Sequence, residues 1–164
     1  MNHFFIYTSR ERNGFTLTEL IIVVAILGIL SLIAVPNIIG ELPNYRIKAA
    51  SRDIASRLLL ARMKAISRNC QYRIAFDPAG SYTVMRNDPV TGWVQEGEAF
   101  NLPAAVRFNR GGADPITFSS DRVVFNPNGS SNVNGAIYLK NSRDTMYHIS
   151  VLQSTGRVSL EKGW

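Results

Sequence analysis

The hydrophobic residues of this chain are concentrated in one uninterrupted run near the N-terminus. Residues 20–35, LIIVVAILGILSLIAV, contain no charged side chain. A helix over residues 15–35 would be about 30 Å long, which is the thickness of the hydrocarbon core of a bilayer. We therefore predict a transmembrane helix over residues 15–43, with Arg10 and Arg12 on its cytoplasmic side.

A second pattern, with the period of an amphipathic helix, follows from residue 44 to residue 69. The apolar positions that share one face are Ile47, Ala50, Ile54, Leu58, Ala61 and Ala65. Pro36, Gly40 and Pro43 lie between this pattern and the first run, and proline removes a helical hydrogen bond. The spacing predicts a helix over 44–69 whose apolar face packs against a sheet.

After Cys70 the period changes to two. Residues 71–76 and 81–86 alternate on either side of a turn signal, DPAG, which predicts a hairpin. Further strands are expected near 91–95, 104–109, 115–118, 122–126, 135–140, 145–152 and 156–161. The predicted fold is therefore α+β: a long N-terminal helix packed on a small antiparallel β domain. Its globular part covers 44–164, is β-rich over 70–164, and forms either two small sheets or one curved sheet.

Composition changes this picture in two ways. Lys and Arg outnumber Asp and Glu by 18 to 12, which permits contact with nucleic acid or anionic lipid but does not require it. Seven basic residues lie mainly off the apolar face of the predicted second helix: Arg46, Lys48, Arg52, Arg57, Arg62, Lys64 and Arg68. They form a solvated face, or they face acidic lipid or neighbouring subunits. Cys70 is the single cysteine, so the domain is held together without an intrachain disulfide.

Three interpretations of the N-terminus compete. A secretory signal peptide is cut behind small residues after its apolar run, and residues 32–36, LIAVP, match this poorly. A plain signal anchor fits the length and the charge. It does not explain Glu19, an acid at the start of the span.

The third interpretation accounts for every residue of this segment. Residues 12–20, RNGFTLTEL, resemble the processing site of type IV prepilins and type II secretion pseudopilins. In that family a membrane peptidase cuts after the glycine and N-methylates the new terminal Phe. The resemblance implies that residues 1–14 are a leader, that cleavage falls between Gly14 and Phe15, and that Phe15 is methylated.

Glu19 has two compatible explanations. Residues 16–19, TLTE, form a capping-box pattern, in which Glu19 would bond the N–H of Thr16. An unpaired carboxylate at the membrane edge is also costly. The family resemblance implies a partner for it, the terminal amine of Phe15 in the same or a neighbouring subunit, which would set subunit register during filament assembly.

Three further segments narrow the resemblance. Residues 60–69, LARMKAISRN, 124–129, VFNPNG, and 154–158, STGRV, are similar to the minor pseudopilin H group and its relatives among minor type IV pilins. This implies a pilin-like, single-pass inner-membrane subunit of a type II secretion filament, with its C-terminal domain in the periplasm or in the filament. Its implied partners are other pilins or pseudopilins and the prepilin peptidase. Residues 87–122 resemble nothing that we can name.

The alternative function is that of a minor type IV pilin in pilus assembly or DNA uptake. Minor pilins that capture DNA carry a basic C-terminal segment, and residues 156–164, GRVSLEKGW, resemble it in part. Arg157 matches, Ser159 replaces a second basic residue, and Lys162 with Trp164 could compensate through phosphate contact and base stacking. The simpler interpretation is that Gly156 turns the chain, the apolar residues of a last strand face the core, and Arg157 is solvated.

The chain carries no recognisable catalytic or metal-binding motif. His3 lies in the leader, and His148 lies in a predicted strand without a paired catalytic signature. The patterns CxxC, HExxH, GxGxxG and the P-loop do not occur, and Asp114, Asp121 and Asp144 are scattered. We therefore expect no enzymatic activity, no metal and no cofactor.

Overall fold

The computed structural model describes residues 14–163. The chain divides into two compact units, of which the first ends at Gly40 and the second begins at Glu41. One helix, α1 (Leu17–Ser67), contributes to both units. It ends in a Schellman motif, in which Asn69 has a φ of 49° and Cys70 N–H donates to the carbonyl of Ala65 at 3.3 Å.

Between residues 72 and 162 the second unit forms two antiparallel sheets, which decides between the two arrangements left open above. The first sheet contains β1 (Tyr72–Asp77), β2 (Ser81–Asp88), β3 (Gly92–Gln95), β4 (Phe100–Asn101) and β6 (Arg122–Phe125). Its order is β3-β2-β1-β6, and β4 pairs with β2. The second sheet contains β5 (Val106–Phe108), β7 (Gly135–Asn141), β8 (Met146–Leu152) and β9 (Arg157–Lys162), in the order β5-β7-β8-β9.

The predicted apolar face of the helix is the face that meets the sheets. All six of its predicted residues are at most 7 % exposed and belong to one core cluster with residues of both sheets. That cluster includes Tyr72 and Phe125 from the first sheet and Leu139 and Ile149 from the second. The prediction that this face packs on the β structure is confirmed.

The strand predictions hold except near residue 115. The hairpin is present, with Asp77 opposite Ser81 in register. Within the described range, residues 115–118 form no strand, and a single bridge joins Ile116 to Ile137. The reason is the turn that follows directly, where Ser120 and Asp121 both have positive φ. The two-residue strand β4 was not predicted.

Several of the basic residues between 46 and 68 form contacts within the fold, which was not among the alternatives given above for this face. Lys64 Nζ lies 2.6 Å from one carboxylate oxygen of Glu96, and Arg68 lies 3.2 Å from the other. The hydroxyl of Tyr72 donates to the same carboxylate at 2.7 Å. Burial alone would raise the pKa of Glu96, but the hydrogen bonds from Lys64 and Tyr72 hold that pKa below its usual value.

A second contact of this kind involves Arg57, which precedes Lys64 on the helix. Arg57 pairs with Asp53 at 2.8 Å, and its guanidinium stacks over the ring of Phe100 at 3.5 Å. Tyr82 donates its hydroxyl to Asp53, and burial together with this bond raises the pKa of Tyr82. Phe100 and Glu96 both belong to the stretch 87–122, so part of this stretch is held against the helix by its basic side chains.

The three segments that resemble the H group meet at one point. Arg62 Nε donates to the carbonyl of Gly129 at 2.9 Å. Gly156 lies against the same carbonyl, since a Cβ added there would lie 2.2 Å from the Gly129 oxygen and 3.0 Å from Arg62 Nε. The end of the helix, the 124–129 turn and the 154–158 turn are therefore joined without space for a side chain at residue 156.

We predict that Gly156→Ala destabilises the second unit by about 3 kcal/mol, because a methyl group would displace the Gly129 carbonyl and break its bond to Arg62. Thermal unfolding of a fragment beginning at Glu41 should show a melting temperature about 10 °C lower. The matched control is Gly92→Ala, where φ is also positive but nothing lies within 4 Å. Strain alone should lower stability there by about 1 kcal/mol. Equal losses in the two variants would contradict the proposed clash.

Candidate functional site

The predicted cleavage junction lies immediately before the first turn of α1. Gly14, Phe15 and Thr16 have no regular secondary structure, and Phe15 is 88 % exposed. A Cβ added at Gly14 would meet nothing within 4 Å. Arg12, which precedes the junction, lies outside the described residues. The peptide bond between Gly14 and Phe15 is thus in an open, non-helical segment.

Glu19 lies in the first turn of the helix and takes part in capping through its backbone. Its N–H donates to Thr16 Oγ1 at 3.2 Å, so Thr16 is the N-cap residue. Within residues 14–163 the carboxylate of Glu19 has no hydrogen bond or ion pair, and the reciprocal bond of a capping box is not formed. Among the described residues, the side chain that the sequence singled out therefore has no partner.

The helix that follows Glu19 exposes apolar side chains on all sides. The exposed residues include Leu20, Ile21, Ile22, Val23, Val24, Ile26, Leu27, Ile29 and Leu30. Ser31 satisfies its hydroxyl by donating to the Leu27 carbonyl at 2.7 Å, as serines do in apolar surroundings. In the part of the chain that the structure describes, no single uninterrupted helix is long and apolar enough to cross a membrane. Two stretches of α1, Leu17–Ile33 and Ile38–Ser67, meet the length and composition of a span only when they are taken as a pair across the break between them.

The two candidate DNA contacts lie at opposite ends of β9. Arg157 is its first residue and Lys162 its last, so they are separated by about 17 Å along the strand. Side chains alternate across a strand, which assigns Arg157 to one face and Lys162 to the other. Val158 and Leu160 pack against the core cluster, and Gly156 turns the chain with a φ of 62°. Trp164 lies outside the described residues.

His148 is engaged within its own sheet. Its Nδ1 lies 2.7 Å from the carbonyl oxygen of Gly163, which can only accept, so Nδ1 carries a proton. The ring stacks on Tyr138 with centroids 5.7 Å apart, and Nε2 lies 3.6 Å from Glu161. This is the environment of a structural histidine. Residues 14–163 also contain no group of three His, Cys, Asp or Glu side chains able to hold a metal ion.

Glu96 is the polar residue that the sequence did not single out. It lies in the stretch without resemblance, and an isolated acid gives no signal of its three partners. These are Lys64 at the end of α1, Arg68 just after the helix, and Tyr72 in β1. The contact also affects Tyr72, because burial and the Glu96 carboxylate raise the pKa of its hydroxyl to about 12. In the sequence, the excess of basic residues on the predicted helix was the only indication that an acidic residue would pair with them.

Comparison with known families gives two matches. Residues 50–156 match the family described as Type II transport protein GspH. Residues 9–35 match the prokaryotic N-terminal methylation motif. Residues 36–49 lie between the two matches.

Curated relatives of two kinds resemble the chain. The competence protein ComGD of Bacillus subtilis is 26 % identical over 152 residues, covering 93 % of this chain and 95 % of that protein. The type II secretion system protein H of Xanthomonas campestris is 26 % identical over 151 residues, covering 91 % and 83 %.

Solved structures share the fold at low sequence identity. The minor pseudopilin EpsH from the type II secretion system of Vibrio cholerae has a TM-score of 0.56 at 14 % identity, covering 70 % of this chain and 95 % of that one. The type IV minor pilin FimU of Pseudomonas aeruginosa has a TM-score of 0.57 at 15 % identity, covering 72 % and 90 %. Because the family match extends over more than half of the sequence, the chain belongs to the Type II transport protein GspH family, whose members are structural pilin subunits and not enzymes.

Proposed function

We propose that the chain is a minor pseudopilin of a type II secretion system, a structural subunit of an inner-membrane pilus-like filament that supports protein secretion. Residues 1–14 are a leader that the prepilin peptidase removes, residues 15–43 anchor the subunit as a single membrane pass, and residues 44–164 form the pilin-like domain. The observation that carries this proposal is the Glu19 carboxylate, which has no partner within residues 14–163 and lies at the start of a helix that exposes apolar side chains on every side.

Apolar exposure of this extent requires a covering, which is lipid before assembly and neighbouring helices afterwards. Lipid tails are as apolar as leucine, so exchanging one covering for the other supplies little net free energy. A polar pair that forms only in the filament would therefore favour the assembled state over the subunit in lipid. A carboxylate at the edge of the bilayer costs a few kcal/mol without a partner, and a terminal amine on Phe15 would be available after cleavage.

In this proposal Glu19 of one subunit binds the amine of Phe15 in a neighbouring subunit and so sets the register between them. Thr16 caps the helix independently, through its hydroxyl and the N–H of Glu19. The Glu19 carboxylate is therefore not needed for capping and can pair with the amine. Partners of the subunit are other pilins or pseudopilins, and its second unit lies in the periplasm or in the filament.

A second candidate function is that of a minor type IV pilin in pilus assembly or DNA uptake. It is favoured by the relative named as a competence protein, which matches almost the whole chain. Arg157 and Lys162 are the residues that would contact DNA. Their separation along β9 and their opposite faces argue against a single compact contact between them.

We predict that the mature protein begins at Phe15, because the junction is open and directly precedes the helix. Intact-mass spectrometry of protein from cells with a prepilin peptidase should show loss of residues 1–14 and gain of one methyl group. The same cells without the peptidase provide the control. A species that still begins at Met1 when the peptidase is present would overturn the proposed processing.

We predict that Glu19→Ala and Glu19→Leu leave cleavage intact but reduce incorporation into filaments at least tenfold, because the pair with the neighbouring amine is lost. Incorporation is measured by shearing filaments from cells and quantifying the subunit. Thr16→Ala is the matched control, since it removes the cap, worth about 1 kcal/mol, and keeps the carboxylate. If Thr16→Ala has the same effect as Glu19→Ala, or if Glu19→Ala assembles normally, Glu19 acts only at the helix end.

For the second candidate we predict that a fragment beginning at Glu41 binds DNA only non-specifically, with a shift in gel electrophoresis that weakens steeply as salt rises. Arg157→Ala and Lys162→Ala should each weaken binding no more than Arg122→Ala, an exposed arginine in the other sheet. A larger loss in both C-terminal variants than in the Arg122 control would establish a DNA site on β9.

A further inference from the structure

The outer face of the first sheet, which is turned away from the core, carries two arginines. In β1 every second residue belongs to the core cluster, so Arg73 and Ala75 lie on the opposite face of the sheet. The register places Arg73 opposite Met85 of β2 and Val124 of β6. It places Ala75 opposite Arg122 of β6. Arg73 and Arg122 are therefore diagonal neighbours on adjacent strands, about 7–8 Å apart, within reach of long side chains.

No carboxylate balances the charge of Arg73. Its Nε and Nη2 groups donate to the sulfur of Met85 at 3.2 and 2.9 Å, and a thioether is a weak, uncharged acceptor. Burial and then the positive charge of Arg122 lower the pKa of Arg73. Arg122 is exposed and forms no hydrogen bond or ion pair within residues 14–163. The two cations therefore repel each other, and bound anions would relieve that repulsion.

One acidic residue shares this face with the arginines. Among the strand positions that the register assigns to the outer face, only Asp77, the last residue of β1, is acidic. Its carboxylate accepts the N–H of Ala79 at 2.9 Å and the hydroxyl of Ser81 at 3.5 Å, so it serves its own turn. Within the described residues it forms no ion pair with either arginine. The face therefore keeps an excess of positive charge.

A flat aromatic group lies beside these charges. The guanidinium of Arg73 is stacked over the ring of Trp93, 4.4 Å from its centroid. Trp93 belongs to the edge strand β3 and is half-buried, so part of its ring is open to solvent. Nucleobases stack on aromatic rings and on guanidinium planes. An acidic peptide would match the two charges but would bring no flat group to the ring.

We propose that the outer face of the first sheet binds single-stranded nucleic acid, with Arg73 and Arg122 contacting phosphates and Trp93 stacking a base. Arg73 keeps its Nη1 donors for this contact, since Met85 uses only Nε and Nη2. Phosphate contacts and stacking carry little sequence information, so binding should be non-specific. The inference goes beyond the proposed function, because a structural filament subunit needs no nucleic-acid contact, and it does not depend on the β9 residues considered above.

The charged contacts are tested with the full chain in uncharged detergent micelles, by fluorescence anisotropy of a labelled thymidine oligonucleotide at about 50 and about 200 mM salt. Arg73→Gln/Arg122→Gln should weaken binding at least tenfold at the lower salt. It should also reduce the slope of log affinity against log salt by about 1.4, because each phosphate contact on a single strand contributes about 0.7. Arg157→Gln/Lys162→Gln removes the same charge from β9 and should bind within twofold of the unchanged chain. Equal losses in the two double variants would overturn the site.

A single exposed substitution avoids any effect on folding, because Arg73 is half-buried and its loss could disturb the sheet. Arg122→Gln alone should weaken binding at least threefold and reduce the salt slope by about 0.7. Arg157→Gln, at an equally exposed strand position, is its matched control. The proposal is wrong if Arg122→Gln binds as the unchanged chain does, or if both substitutions have the same effect.

The stacking contact has its own readout. The chain has two tryptophans, so Trp164→Phe leaves Trp93 as the single source of tryptophan fluorescence. In that background the thymidine oligonucleotide should quench the emission of Trp93. Trp93→Ala should weaken binding at least fivefold, whereas Trp93→Phe keeps a flat ring and should retain most of it. Binding that leaves the emission unchanged would overturn the assignment of a nucleic acid.

Two further probes separate nucleic acid from other polyanions. An abasic oligonucleotide of the same length keeps every phosphate and lacks the bases, and polyglutamate imitates an acidic protein surface. Both should bind at least fivefold more weakly than the thymidine oligonucleotide. Equal binding of either probe would identify a general polyanion or acidic-protein contact and overturn the nucleic-acid assignment. None of these measurements requires cleavage or assembly, so their failure leaves the proposed filament function standing, and the failure of that function leaves this site standing.

Discussion

Burial of one face of α1 against both sheets is the constraint on which the rest of the second unit depends. Ile47, Ile54 and Leu58 are fully buried, and each contributes about 2 kcal/mol of transfer free energy. Two sheets of four or five short strands have little core of their own, and no disulfide supports them. The helix supplies the missing apolar surface, so this part of α1 lies at the centre of the second unit.

The periodic parts of this arrangement could be predicted from the sequence. The period of the helical face and the alternation of the first hairpin are local properties, and both were found where expected. The failure near Ile116 has a physical cause as well. Ile116 and Phe118 alternate as apolar residues do in a strand, and both are buried in the core. The chain nevertheless turns away after a single bridge. The alternation of apolar and polar residues indicates which side chains are buried, but it does not indicate whether the backbone hydrogen bonds of a strand continue.

The tertiary polar contacts could not be predicted in this way. Arg68 and Glu96 are distant in sequence, and only the folded chain brings them together. For the N-terminal segment the sequence carries most of the information, because Gly14, Phe15 and Glu19 belong to one short motif within residues 9–35, which match the prokaryotic N-terminal methylation motif.

The contact of Arg62 with Gly129 and Gly156 has a consequence for how related sequences can diverge. No space remains for a side chain at residue 156, and the carbonyl that fills it is held by an arginine from the helix. A larger residue at 156 becomes tolerable only if the 129 turn retreats, and that turn retreats only if the arginine releases it. Substitutions at these three positions, which are far apart in the chain, are therefore expected to be epistatic rather than additive.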